Sequence, residues 1–209
     1  DEFIRLAGDY VRKHCPDINS KDYTSVIDDR SFQRLIATLE DAQGKGATVV
    51  NLSGNQQPNP ELRKIPMHIV ADTTQEMTIR QRETFGPLLM LLTYRDPQEV
   101  IDHVNAHDRP LAFYPFSNNR ELVDRYIERI MSGGVTVNDA LFHVAQHDIP
   151  FGGVGPSGMG HYHGYEGFVT FSKLRPVFYQ PGFSALQFLR PPYGKFADKV
   201  YNLLVRMKS

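Results

Sequence analysis

Leu88-Leu-Met-Leu-Leu-Thr-Tyr94 is an almost unbroken apolar run, and Arg95-Asp-Pro-Gln-Glu99 follows it directly. Such a run fits a strand covered on both faces, as in parallel sheets. Asp96, Pro97 and Glu99 then supply an N-cap, a proline at the first helical position and an acid at the third, so a helix is predicted through Val100, Ile101 and Val104. The same alternation recurs on either side. Upstream, Phe3, Ala7, Val11 and Cys15 fall four apart with Ile4 beside them, which predicts a first helix ended by Pro16. A second helix starts at Asp28 and buries Phe32, Leu35, Ile36 and Leu39 until Gly44 and Gly46 stop it. Strands are expected over 48–52 and 67–70, with a polar, proline-containing loop at 54–60 between them. Downstream, a strand over 111–116 leads to a helix from Asn119 that carries Leu122, Val123, Tyr126, Ile127 and Ile130 to Gly133-Gly134. Strand resumes over 135–137. This order predicts an α/β fold: a mainly parallel sheet with helices on both faces, joined by right-handed crossovers.

With 209 residues, 41% of them apolar, the chain can bury a substantial core. Its net charge of −1 arises from 23 basic and 24 acidic residues without long like-charge blocks, which argues against a nucleic-acid or anionic-membrane partner. One cysteine excludes an intrachain disulfide framework. No apolar run reaches membrane-spanning length and no secretory segment stands near the start, so a cytoplasmic location is expected. The sequon Asn51-Leu52-Ser53 is then without consequence.

Several local patterns bear on chemistry. In Glu83-Thr-Phe-Gly-Pro87 the chain turns abruptly after a strand-like stretch and presents a carboxylate and a ring together. A carboxylate can accept two hydroxyl donors at once, as holding a ribose diol requires; a surface acid and a core phenylalanine beside a turn are the plainer alternative. Gly153-Val-Gly-Pro-Ser-Gly158 fits the dinucleotide fingerprint formally, but Pro150 precedes it, Pro156 lies inside it and Gly160 follows it, so a compact loop is expected instead. Asn138-Asp139 reads as a turn that orients the loop after it. His143, His147, His161 and His163 raise a metal site, against which stands the lack of a helix or a completing cysteine or carboxylate. Cys15 is expected to be a buried structural cysteine, because a helix C-terminus and an apolar stripe both disfavour a thiolate.

Taken in order, Glu83 to Pro87, Ser132-Gly-Gly-Val135 and Pro150-Phe-Gly-Gly-Val-Gly-Pro-Ser-Gly-Met-Gly160 resemble the C-terminal half of the aldehyde dehydrogenase superfamily, over almost the whole chain. Tyr162-His163-Gly164 and Arg190-Pro-Pro-Tyr-Gly-Lys195 are similar to the class 3 branch and, within it, to the bacterial coniferyl aldehyde dehydrogenases. The resemblance implies NAD or NADP as cofactor, with Glu83 holding the nicotinamide ribose and Phe85 packing near the nicotinamide. It places Phe151 and His163 near a substrate tunnel, with Val144 and Ala145 at its mouth, an apolar channel suited to an aromatic aldehyde. Three parts are implied: a catalytic-domain portion over 1–165, an oligomerisation strand over 166–181, and a tail over 182–209 with a short amphipathic helix from Ala197. The stretch 168–180, which holds Arg175-Pro176, would join a neighbouring subunit's sheet and make a homodimer.

In the family a cysteine thiolate attacks the aldehyde, hydride passes to the nicotinamide, and a glutamate-activated water releases the acid. The family's Gly-Gln-x-Cys setting and the glutamate upstream of it do not occur here. The chain is therefore expected to be a C-terminal portion without the catalytic cysteine and glutamate, inactive alone, with no catalytic or metal-ligating residue of its own. A free-standing binding or scaffold domain and a histidine-based metallohydrolase are the competing expectations.

Overall fold

The computed structural model describes residues 1–184, 190–191 and 193–207, and packing divides the chain into two units, Asp1–Val100 and Ile101–Ser209. In the first unit α1 (Glu2–His14) and α2 (Asp29–Gly44) form where the four-residue spacing predicts them. Asp28 caps α2, its carboxylate accepting from Ser31 N at 2.7 Å. Three strands, β1 (Thr48–Asn51), β2 (His68–Ala71) and β3 (Leu88–Met90), lie in that order. A single-turn helix, α3 (Thr78–Gln81), precedes β3. β2 and β3 run parallel, with Val70 opposite Met90, whereas β1 and β2 are antiparallel, with Val49 opposite Val70. The sheet is thus mixed rather than wholly parallel.

Successive strand residues point to opposite faces, and the two helices cover one face each. Ala42 of α2 packs with Val49, Val70 and Met90, and Leu35 with Phe32, Ile65 and Leu88. On the other side Val11 of α1, flanked by Ala7 and Cys15, packs with Val50, Ile69 and Leu91. The expected two-sided cover of the 88–94 run holds only in part: β3 is three residues long, Leu89 is 49% exposed, and Leu92 and Tyr94 are also exposed. Helix α4 (Pro97–Asn105) starts as predicted, Glu99 reaching back to Asp96 N at 3.3 Å while Asp96 accepts from Gln98 N at 2.7 Å.

The buried imidazole of His68 gives this unit a pH dependence. Burial holds its pKa below the ordinary imidazole value, outweighing the hydrogen bond that Nδ1 donates to Pro66 O at 2.7 Å. Above the unfolded value of about 6.5 the imidazole is neutral in both states and contributes nothing. As pH falls through that value the unfolded chain takes up a proton that the folded chain does not, so stability drops, levelling off only below the depressed folded value. Urea titrations at about pH 7.5 and pH 5.5 should therefore give a smaller stability difference for His68→Asn than for the parent chain. An equal difference in both would remove His68 from the account.

In the second unit β4 (Ala112–Phe113), α5 (Arg120–Arg129) and β5 (Gly134–Val135) make a parallel strand-helix-strand unit, with Asn119 capping α5 by accepting from Leu122 N at 3.1 Å. Pairing extends past the two-residue strands, since Gly133, Gly134, Thr136 and Asn138 donate from N to the carbonyls of Pro110, Leu111, Phe113 and Pro115. Phe113 meets Tyr126 of α5 edge-on at 6.1 Å. Short helices α6 (Phe142–Ala145) and α7 (Gly164–Thr170) follow, and α8 (Lys195–Arg206) lies near the end.

The strand expected over 168–180 begins instead as α7, because Gly167 N bonds His163 O and Thr170 Oγ1 bonds Glu166 O, closing helical turns. From Phe171 to Gln180 the chain forms no strand with itself. The amphipathic helix of the tail is present, but it buries only Ala197 and leaves Leu203 and Leu204 exposed. Within the quoted Arg190 to Lys195 motif, Pro192 lies outside the described residues, as do 185–189 and 208–209. No described helix is long and apolar enough to cross a membrane.

Candidate functional site

The six residues singled out from the sequence fall into two groups, one in each unit. Glu83 and Phe85 stand on the turn that carries the chain from α3 into β3. The approach to this turn is one helical turn and an extended Arg82, not the strand-like stretch expected, because residues 78–81 close onto Asp41 through Thr78 N at 2.8 Å. The turn itself is fastened at both ends. Arg34 of α2 donates from Nη2 to Thr84 O at 2.7 Å, and His68 N of β2 donates to Pro87 O at 2.9 Å.

Phe85 takes a φ of 50°. A bulky side chain in this left-handed region costs on the order of 1–2 kcal/mol, and its ring is 81% exposed besides. Two costs at one residue mark a place where the fold serves something other than its own stability. The ring forms one side of a largely apolar groove of about 450 Å³ lined also by Cys15, Tyr23, Val26, Ile65 and Pro87. Glu83 is exposed beside Arg80 and Arg82, and its carboxylate takes no hydrogen bond from the described residues. Cys15 is half-buried rather than buried, because it ends α1 at the groove's edge, its N donating to Val11 O at 2.7 Å. Tyr23 is buried, its hydroxyl donating to Ile65 O at 2.7 Å, and burial, with the Cys15 sulfur second, pushes its pKa up to about 12.

In the second unit the glycines fold the expected compact loop. Gly155 bridges Gly158, Ser157 Oγ accepts from Val154 N at 2.8 Å, and no helix opens at Gly158, so the formal dinucleotide fingerprint has no structural counterpart. Phe151 and Tyr162 close the loop by exchanging backbone hydrogen bonds of 2.8 and 2.9 Å. This brings Phe151 and His163 together, ring centroids 6.2 Å apart, with Tyr162 between the loop's ends at 5.3 Å from Phe151. Gly133 makes the close packing possible: a Cβ there would lie 2.3 Å from Gly152 O and 2.6 Å from Leu111 O. The Ser132 to Val135 element and the glycine loop, separate in sequence, are thus one packed feature.

Val144 and Ala145 lie on α6, next to His143, whose ring stands 5.6 Å from that of Phe151. Asn138 holds the turn before α6, as expected, accepting from Ser117 N at 2.8 Å and donating to Ser117 O at 3.1 Å. His147 meets His163 at 5.0 Å, but among the described residues no group of three or more His, Cys, Asp or Glu is placed to hold a metal ion. Sequence reading missed the groove residues Tyr23, Val26 and Ile65 and the packing role of His143. Tyr23, Val26 and Ile65 meet through contacts some forty residues apart, and His143 through a turn that brings back residues seven and eight away, neither of which follows a helix or strand period.

The chain belongs to the aldehyde dehydrogenase family, whose model matches residues 1–177. The chain is 44% identical over 208 residues to a probable coniferyl aldehyde dehydrogenase of Pseudomonas aeruginosa, an alignment covering 99% of this chain and 43% of that protein. It is 38% identical over 162 residues to the dimeric NADP-preferring aldehyde dehydrogenase of Bos taurus, covering 78% of this chain and 64% of that one. The substrate-bound structure of Staphylococcus aureus AldH superposes with a TM-score of 0.77 at 30% identity, over 98% of this chain and 44% of that one. The chain therefore spans less than half the length of that Pseudomonas relative and of that solved structure.

Proposed function

We propose that this chain is part of an NAD- or NADP-dependent aldehyde dehydrogenase that oxidises an aromatic aldehyde of the coniferyl class to the carboxylic acid. The observation that carries the reading is the turn at 83–87, where an exposed carboxylate without a partner among the described residues stands beside an exposed ring held at positive φ. Glu83 can accept both hydroxyls of a ribose, and Phe85 offers an apolar face for the adjoining ring, so the residues present fit a nicotinamide nucleotide. Once bound, that group supplies the hydride acceptor.

Phe151 and His163, with Val144 and Ala145 toward the mouth, would present the aldehyde with an apolar wall carrying few polar groups, suited to holding an aromatic ring. The substrate named for the Pseudomonas relative supports the aromatic aldehyde, and the name of the bovine one supports a nicotinamide cofactor and a dimer. The dimer is proposed to form through 166–181, where Phe171, Leu174, Phe178 and Tyr179 are exposed and a partner's sheet edge could receive them, flanked by a catalytic portion at 1–165 and a tail at 182–209. No Gly-Gln-x-Cys element occurs in this sequence, so the thiolate and the base are assigned to the part of the relatives' length that the chain does not span.

In the whole protein, Glu83→Gln should weaken NADH binding about 10- to 100-fold, the scale of losing a charge-assisted hydrogen bond. Fluorescence titration with NADH measures it. An unchanged Kd would remove Glu83 from the cofactor site.

A further inference from the structure

We propose that His143 is a positioning residue that fixes the orientation of the Phe151 ring through a buried hydrogen bond to Thr136; the consequence for substrate rests on the reading of Phe151 as a wall of the aldehyde site. His143 is 6% exposed. Its Nδ1 lies 2.9 Å from Thr136 Oγ1, and its backbone N donates to the same oxygen at 3.3 Å. Thr136 is in turn tied to Phe113 O through its own N at 3.1 Å. The imidazole is thereby anchored to the strand, and its faces and edges meet Phe151 at 5.6 Å and Tyr114 at 5.7 Å.

The other ring nitrogen shows that packing alone does not account for a histidine here. Nε2 is buried and has no hydrogen-bond partner among the described residues. It lies against Gly134, where an added Cβ would come within 2.5 Å of Cδ2 and 3.0 Å of Nε2. An N–H at that nitrogen would be left without an acceptor, so the proton belongs on Nδ1, which donates to Thr136. A buried nitrogen without a partner is a cost that an aliphatic side chain of similar size would not carry. What the imidazole adds is a ring plane set by a directional hydrogen bond. The backbone of Phe151 is held by Tyr162, and among the described residues its ring meets the rings of Tyr162 edge-on at 5.3 Å, His163 at 6.2 Å and His143, tilted, at 5.6 Å, of which His143 is the one whose plane Thr136 anchors.

The test places 4-fluorophenylalanine at position 151 of this chain and reads its ¹⁹F spectrum, with circular dichroism to verify folding. The parent chain should give one narrow line, His143→Leu a broadened or split one, and His143→Asn, whose amide can still donate to Thr136, a narrow line again. Thr136→Val keeps the imidazole but removes its anchor and should behave as His143→Leu does, which keeps the test open should the leucine variant not fold. A narrow line at the parent position in Thr136→Val overturns the proposal. In the whole protein, His143→Leu should raise KM for coniferaldehyde about three- to tenfold, the scale of one lost hydrogen bond, with kcat and the KM for acetaldehyde unchanged. Broadened ¹⁹F lines with an unaltered KM would support the positioning role and remove Phe151 from the substrate wall, whereas an equal loss of kcat for both aldehydes would overturn specific positioning.

Discussion

Gly133→Ala is expected to lower the stability of Ile101–Ser209 by about 3 kcal/mol or more, the upper end of what overpacking costs. The new methyl would stand 2.3 Å from Gly152 O and 2.6 Å from Leu111 O, and both are backbone atoms that cannot rotate aside. Relief requires the glycine loop to move away from the strand pairing at 110–115 and 133–138, which carries Phe151 with it. Gly182→Ala is the control, since nothing lies within 4 Å of a Cβ placed there. Thermal melts followed by circular dichroism should separate the two variants by many degrees, because a few kcal/mol is a large share of a domain's stability. Equal melting temperatures would mean that the loop does not depend on this contact.

Leu35→Ala should destabilise Asp1–Val100 by about 2–5 kcal/mol, the range for a buried leucine that leaves a cavity. Leu35 is 0% exposed and packs with Phe32, Ile65 and Leu88. It also lies directly under the candidate cofactor turn, since a Cβ on Gly86 would fall 2.4 Å from Leu35 Cδ1. Gly86→Ala should therefore cost less in the Leu35→Ala background than alone, a coupling that a double-mutant cycle by urea denaturation measures. Ile27→Ala, at a residue 84% exposed, should change stability by no more than about 0.5 kcal/mol. Strict additivity of the Leu35 and Gly86 changes would show that the turn does not rest on the core beneath it.

Local signals in this chain were legible where chemistry and geometry act within one turn. The four-residue spacing of α1, the helix starts at Asp28 and Asn119, the Asp96 cap and the alternation of strand with helix all took their places as read. So did the rejection of the dinucleotide fingerprint, because Pro150 and Pro156 decide that loop locally. The misreadings share a different origin. Two-sided cover of the 88–94 run depended on what packs over Leu89 and Leu92, and the approach to Glu83, expected as strand-like, closes as a helical turn onto Asp41.

The sequence alone determined the α/β class, the family resemblance and the identity of the two motif groups, since residue type and spacing suffice for each. Only the tertiary structure decided the direction of β1, the groove that joins Cys15 and Tyr23 to Phe85, and the placement of His143 between Thr136 and Phe151. The reason is physical. Helix periods and caps are set by neighbours within a turn, whereas strand direction and the groove are set by groups far apart in sequence, and the seat of His143 by a loop that no helix or strand period describes.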